Sequence, residues 1–170
     1  MIKKFVFSIL LSAAIQLPAN AADNNDQNQP GSRLENGVEI FAINCSGMPQ
    51  ETTIDIDECQ GKKISQLEWV LNKYQSTTVE RISSENKDNA AHKKRLEAAY
   101  NEEAQAWSAL VNAASKSVEV DYEGGTISTS LSNERSIRLL ELQIHDMWQT
   151  WLTYMDSSPA LLLEPKFETE

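Results

Sequence analysis

Apolar positions return at helical spacing along three long stretches of the chain. From Thr53 the residues Ile56, Cys59, Ile64, Leu67, Leu71 and Tyr74 recur every three to five positions, which places them on one side of a helix. Thr52 or Thr53 can cap its start, and Asp55, Asp57 and Glu58 fall in the first turn, where the helix dipole favours acids. The pattern runs to about Ile82, and a polar connector follows over residues 83–89. A second helix is predicted from about Asn89 to Ser117, with Leu96, Ala99, Tyr100, Glu103, Ala106, Trp107, Leu110 and Ala114 along one side. Its many alanines favour the helix and allow close approach of a neighbour. The pair Gly124-Gly125 then permits positive φ and breaks the period, so Glu123-Gly124-Gly125-Thr126 reads as a turn. A third helix is predicted from about Ser132 to Tyr154, buried through Ile137, Leu140, Ile144, Met147, Trp148, Trp151 and Met155 and ended by Ser157-Ser158-Pro159.

The remaining segments look less regular. Residues 22–37, dominated by Asn, Asp, Gln, Pro and Gly, read as a disordered N-terminal segment. The stretch Val38–Ile43 is short, apolar and partly alternating, and reads either as a strand or as an extended arm against the helices. Residues 157–170 read as an acidic tail whose Leu161, Leu162 and Leu163 pack back while its end stays free. The expected fold is therefore all-α: an antiparallel three-helix bundle over residues 38–156, with an N-terminal arm tethered by a disulfide.

The first residues change the setting. Lys3 and Lys4 precede the apolar run Phe5–Ile15, Pro18 breaks it, and Ala19-Asn20-Ala21 offers a small-x-small cleavage site. This order of regions predicts an export signal cleaved after Ala21, and the run is too short to span a bilayer. No cysteine stands at the cleavage site, which argues against a lipid anchor there. The mature chain is expected to be soluble and periplasmic or secreted. In an oxidising compartment Cys45 and Cys59, the chain's two cysteines, read as one disulfide.

The formal net charge is −10, and cleavage would remove two lysines. So acidic a surface repels nucleic acid and anionic lipid headgroups, and it attracts cationic proteins. Catalytic sets are missing from the pattern. His92 sits among Lys93, Lys94 and Arg95, and His145 lies between Ile144 and Asp146, so neither belongs to a zinc-binding repeat. No Gly-x-Ser-x-Gly elbow occurs, and acids such as Glu102-Glu103 diverge on a helix rather than converge. The expectation is a non-enzyme without metal or cofactor. The spacing of Trp69, Trp107, Trp148 and Trp151 favours core packing over a ligand cage.

The order of features resembles the lysozyme-inhibitor LprI N-terminal-like family. The chain has Cys45, Thr52-Thr53, Cys59, then Leu71-Asn72-Lys73-Tyr74, then Ala104-Gln105-Ala106-Trp107, then Gly124-Gly125-Thr126-Ile127. The motif residues carried by the resemblance are Leu71, Asn72, Tyr74, Gln105, Trp107, Gly124 and Gly125. The match runs from about Cys45 to Leu142. It departs from the family where a third cysteine would stand, at Ser115, and where a fourth would, near Asn133–Arg135; Arg135 and Arg138 are offset from the family arginine. The chain thus looks like a divergent member without the second cysteine pair. The resemblance implies a protein-binding inhibitor of lysozyme-type muramidases, which suits an acidic protein because the common lysozymes are basic. The turn Glu123, Gly124, Gly125, Thr126, Ile127 and Ser128 is the candidate partner-binding loop, although Glu123 would add a carboxylate to a cleft already lined by two. An immunity protein against another secreted hydrolase, or a structural or stress-related envelope protein, are the competing readings. Oligomeric state is open.

Overall fold

A computed structural model describes residues 26–169; the export signal and the cleavage point after Ala21 lie outside the described residues. Strand β1 (Gly31–Glu35) leads into β2 (Val38–Ile43), followed by helices α1 (Thr53–Glu85), α2 (Ala90–Asp121) and α3 (Ser128–Met147) and by strand β3 (Glu164–Thr169). A single 3-10 turn, Asp26–Asn28, precedes β1, and α3 runs on into one π-helical turn, Trp148–Leu152.

The all-α expectation is overturned by the sheet. Its order is β1-β2-β3, with β1 antiparallel and β3 parallel to the central strand, so the fold is α+β. The hairpin between β1 and β2 turns on Asn36 and Gly37, at φ 50° and 83°. Both central residues lie in the left-handed region that a tight two-residue hairpin needs, and Asn-Gly is the pair that adopts it at least cost. The outer strands are drawn from the polar segment and the acidic tail, at Gly31–Glu35 and Glu164–Thr169.

The sheet holds together through its two faces. Alternation puts Glu39, Phe41 and Ile43 on the helix side, where Phe41 stacks on Phe167 with ring centroids 6.1 Å apart. Lys73 of α1 donates to both Glu39 carboxylate oxygens at 2.7 and 2.8 Å and sits over the Phe41 ring. On the opposite face the Arg33 guanidinium grips the Glu168 carboxylate with two hydrogen bonds across the central strand, and the register places this pair over Ile40 and Ala42. That cover leaves Ile40 buried on a side that would otherwise face water. Pro165, fully buried, needs no strand partner for its nitrogen because β3 is an edge.

Helix α1 starts at a capping box: the Thr52 hydroxyl accepts from the Asp55 amide at 3.2 Å, and the Thr52 amide donates to the Asp55 carboxylate at 2.9 Å. These bonds hold the Asp55 carboxyl below its ordinary range. Ser130 donates to Asp57 near both helix starts, and Arg81 donates to the Trp151 carbonyl near both ends. Helices α1 and α3 therefore run parallel, with α2 antiparallel between them in sequence. In space α3 is the middle helix; α1 and α2 each pack on it and meet one another only sparsely.

The core lies where β2, α1 and α3 converge, built from Phe41, Ile43, Leu67, Val70, Tyr74, Ile82, Ile137, Leu140, Ile144, Met147 and Leu152. Helix α2 contributes one buried side chain, Tyr100. Its contact with α3 is otherwise partly polar, with the Ser115 and Ser136 hydroxyls 2.6 Å apart and Ser132 donating to Glu119.

Burial pushes both core phenols up: Tyr74 well beyond its ordinary value, with Glu39 adding to the effect, and Tyr100 to about 12, with Glu103 adding. A raised folded-state pKa means that the unfolded chain gives up its proton first. The associated stability is present below about pH 10 and is lost as pH climbs through 10 toward 12. The urea midpoint is expected to show no fall from these phenols up to about pH 9 and then to drop, with Tyr100→Phe shallower than the parent above pH 10. A Tyr100→Phe profile as steep as the parent's would refute this assignment.

Candidate partner-binding surface

The disulfide joins Cys45, two residues past β2, to Cys59 in the second turn of α1, with Cα atoms 5.3 Å apart. Both cysteines are buried. The link fastens the sheet to the start of α1, and Asn44 adds a backbone amide bond to the Gln66 side chain at 3.0 Å.

The residues carried by the sequence motifs do not converge. Tyr74 is wholly buried and donates its hydroxyl to the Leu163 carbonyl at 2.8 Å. Leu71 packs against the core, while Asn72 is exposed one position further round α1. On α2, Gln105 points to solvent and Trp107 is half-buried. Gly124 and Gly125 lie in the α2–α3 connection. These positions shape helices and a turn rather than one pocket.

The turn itself is well tied. Glu123 donates its amide to the Val120 carbonyl, Gly125 to Tyr122 and Ser128 to Gly125, at 3.3, 2.9 and 3.3 Å. Gly124 has φ +82°, which favours glycine, and a Cβ on Gly125 would sit tightly against the Tyr122 carbonyl at 3.1 Å. Residues Glu123, Gly124, Gly125, Thr126 and Ile127 are exposed and Ser128 half-buried. The turn is compact and does not project as a finger.

Its surroundings carry the chemistry that the turn alone lacks. The Ser130–Asp57 and Ser132–Glu119 bonds draw the starts of α1 and α3 and the end of α2 to one end of the molecule. Around that end Ile54, Val120, Tyr122 and Ile127 are each about half exposed or more. Asp121 and Glu123 stand beside them in the sequence and are exposed. Exposed apolar side chains with an acidic rim suit a partner whose own surface is apolar and basic. Sequence reading missed Ile54 and Tyr122: Ile54 falls off the α1 stripe, and Tyr122 sits at a helix end where periodicity gives no signal.

The opposite end of α3 is a different environment. Arg81 reaches the carbonyls of Trp151 and Thr153 and stacks over Tyr154 at 4.5 Å. The Trp151 indole donates to both Glu103 oxygens at 3.2 and 3.1 Å, and Tyr100 meets the Trp151 ring edge-on. Trp148 donates to the Leu162 carbonyl at 3.0 Å. These contacts fix the π-helical turn and lash the tail to the helices. Trp69, Trp148 and Trp151 all pack against the core. His145 lies 3.4 Å from Glu164, while His92 is exposed at the start of α2.

Among the described residues no group of three histidine, cysteine, aspartate or glutamate side chains is arranged to hold a metal ion, and no helix is long and apolar enough to cross a membrane. No family model, no curated protein and no solved structure matches the chain.

Proposed function

We propose that the chain is an exported, protein-binding member of the LprI-like inhibitors, acting on a basic lysozyme-type muramidase in the cell envelope. The observation that supports this reading is the end of the molecule around the α2–α3 turn, where Ile54, Val120, Tyr122 and Ile127 are exposed beside Asp121 and Glu123. Apolar side chains there supply area to bury, and the carboxylates, with a chain charge of −10, steer a cationic enzyme toward them. The Cys45–Cys59 disulfide suits work in an oxidising compartment. Binding over the mouth of the enzyme's cleft would block substrate without placing Glu123 against the two catalytic carboxylates.

The test is muramidase turnover with the purified mature protein at low and moderate salt. Inhibition is expected, weaker at the higher salt, and reversing both acids (Asp121→Lys with Glu123→Lys) is expected to weaken it about tenfold, equivalent to ~1.4 kcal/mol. Absence of inhibition across several lysozyme types at micromolar excess would overturn the proposal.

A further inference from the structure

The sparse meeting of α1 and α2 leaves a groove along their seam, floored by α3 in its middle-sized stretch. Its three connected stretches have volumes of about 480, 330 and 230 Å³. Gln75 and Ala104 line both of the larger stretches, and Val79 and Tyr100 line both the largest and the smallest. The groove follows α1 from Ile64 to Ile82, roughly 27 Å at 1.5 Å per residue. That is the length of about five helical turns.

Three features of its walls define what it can hold. Ile64, Leu71, Val79 and Val111 supply apolar surface with Leu140 beneath, and Val79 remains 47% exposed. On the α2 side Ala104 and Ser108 are small, so another helix can approach closely. The charges have one sign: Glu68, Glu80 and Glu97 line the groove, with no lysine or arginine among the described residues along these stretches. Glu97 is met by Lys93 at 3.7 Å, whose ammonium also donates to Ser83 of α1 at 2.7 Å and so closes the seam at that end. Glu68 and Glu80 are exposed on α1, about 18 Å apart along the helix.

We infer that this groove docks a cationic amphipathic helix of a partner protein. An extended segment would bring unpaired backbone amides and carbonyls against apolar walls, whereas a helix satisfies its own. A second copy of this acidic chain would meet like charge. A helix with one apolar face and basic residues about three turns apart matches both the carbon floor and the two carboxylates. The groove lies along the helices, away from the α2–α3 turn, so the inference stands apart from the muramidase reading.

The test uses the full mature chain and a fluorescent 18-residue peptide with leucines on one face and lysines on the other, read by anisotropy. A twin peptide carries glutamate at every lysine. The lysine peptide is expected to bind and the twin to bind at least tenfold more weakly. Glu68→Lys with Glu80→Lys should weaken binding of the lysine peptide at least tenfold. Ser108→Trp, which fills the groove from an exposed position and leaves the charge unchanged, should do the same. Asp121→Lys with Glu123→Lys should change it less than twofold, even where muramidase inhibition is weakened. A peptide that fails to bind, a twin that binds equally, or a Ser108→Trp chain of retained helicity that binds like the parent would overturn the inference.

Discussion

Replacing Tyr74 with alanine is expected to cost about 3–5 kcal/mol, the range for deleting a large buried aromatic side chain. Against a usual total of about 5–15 kcal/mol this is a large share of the stability. The ring is fully buried among residues of β2, α1 and α3, and its hydroxyl holds the Leu163 carbonyl just before β3 begins. Tyr74→Phe separates the two contributions. It keeps the ring and removes one hydrogen bond to a carbonyl on a partly exposed residue, so about 1 kcal/mol is expected. Urea unfolding of the parent and both variants measures the difference. Equal losses for alanine and phenylalanine would mean that the hydroxyl, and not the packing, dominates.

Opening the disulfide is expected to have the next largest effect. Cys45 and Cys59 are 14 positions apart, and closing a loop of that size stabilises by about 3 kcal/mol in the chain-entropy treatment. The double change Cys45→Ser with Cys59→Ser should therefore lower the denaturation midpoint clearly, and reduction of the parent should reproduce most of the drop. Because the link joins sheet to helix, the loss should appear in global unfolding rather than as local fraying. Coincident unfolding curves for oxidised and reduced protein would contradict the assignment.

Helices α1 and α3 were legible because each buries a stripe at a regular interval, which a sequence displays; α2 was legible by its alanines, although Ala99, Ala106 and Leu110 of its expected stripe are exposed. The positions Leu67, Tyr74, Ile137, Leu140, Ile144 and Met147 are in the core as their spacing predicts. The sheet was not legible for two separate reasons. Strand β1, Gly-Ser-Arg-Leu-Glu, is exposed at every position, so it has no apolar alternation to detect; the Asn36-Gly37 pair is its one local signal, and the sequence reading did not use it. In β3 the alternation of Pro165 and Phe167 with Glu164, Lys166 and Glu168 was present but hidden by the acidity of the tail. Charge there marks one face of a strand, held on that face by Arg33 from the opposite edge strand. The exposed apolar patch and the groove were the least legible part. Exposure of Ile54 or Tyr122, and the gap between α1 and α2, depend on how helices meet, which no local pattern encodes.

The sheet also sets an order of events in the life of the chain. Arg33 and Glu168 are 135 positions apart, and the central strand gains its parallel neighbour only after Glu164–Thr169 has been made. A chain emerging N-terminus first must hold Phe41 and Ile43 uncovered on that side through the synthesis of all three helices. Contacts of such long sequence separation slow folding, because the intervening chain must be ordered before they form. The three-stranded sheet therefore cannot close until the segment Glu164–Thr169 is present. In that sense β3 is a latch: it joins the two ends of the described chain through one parallel pairing.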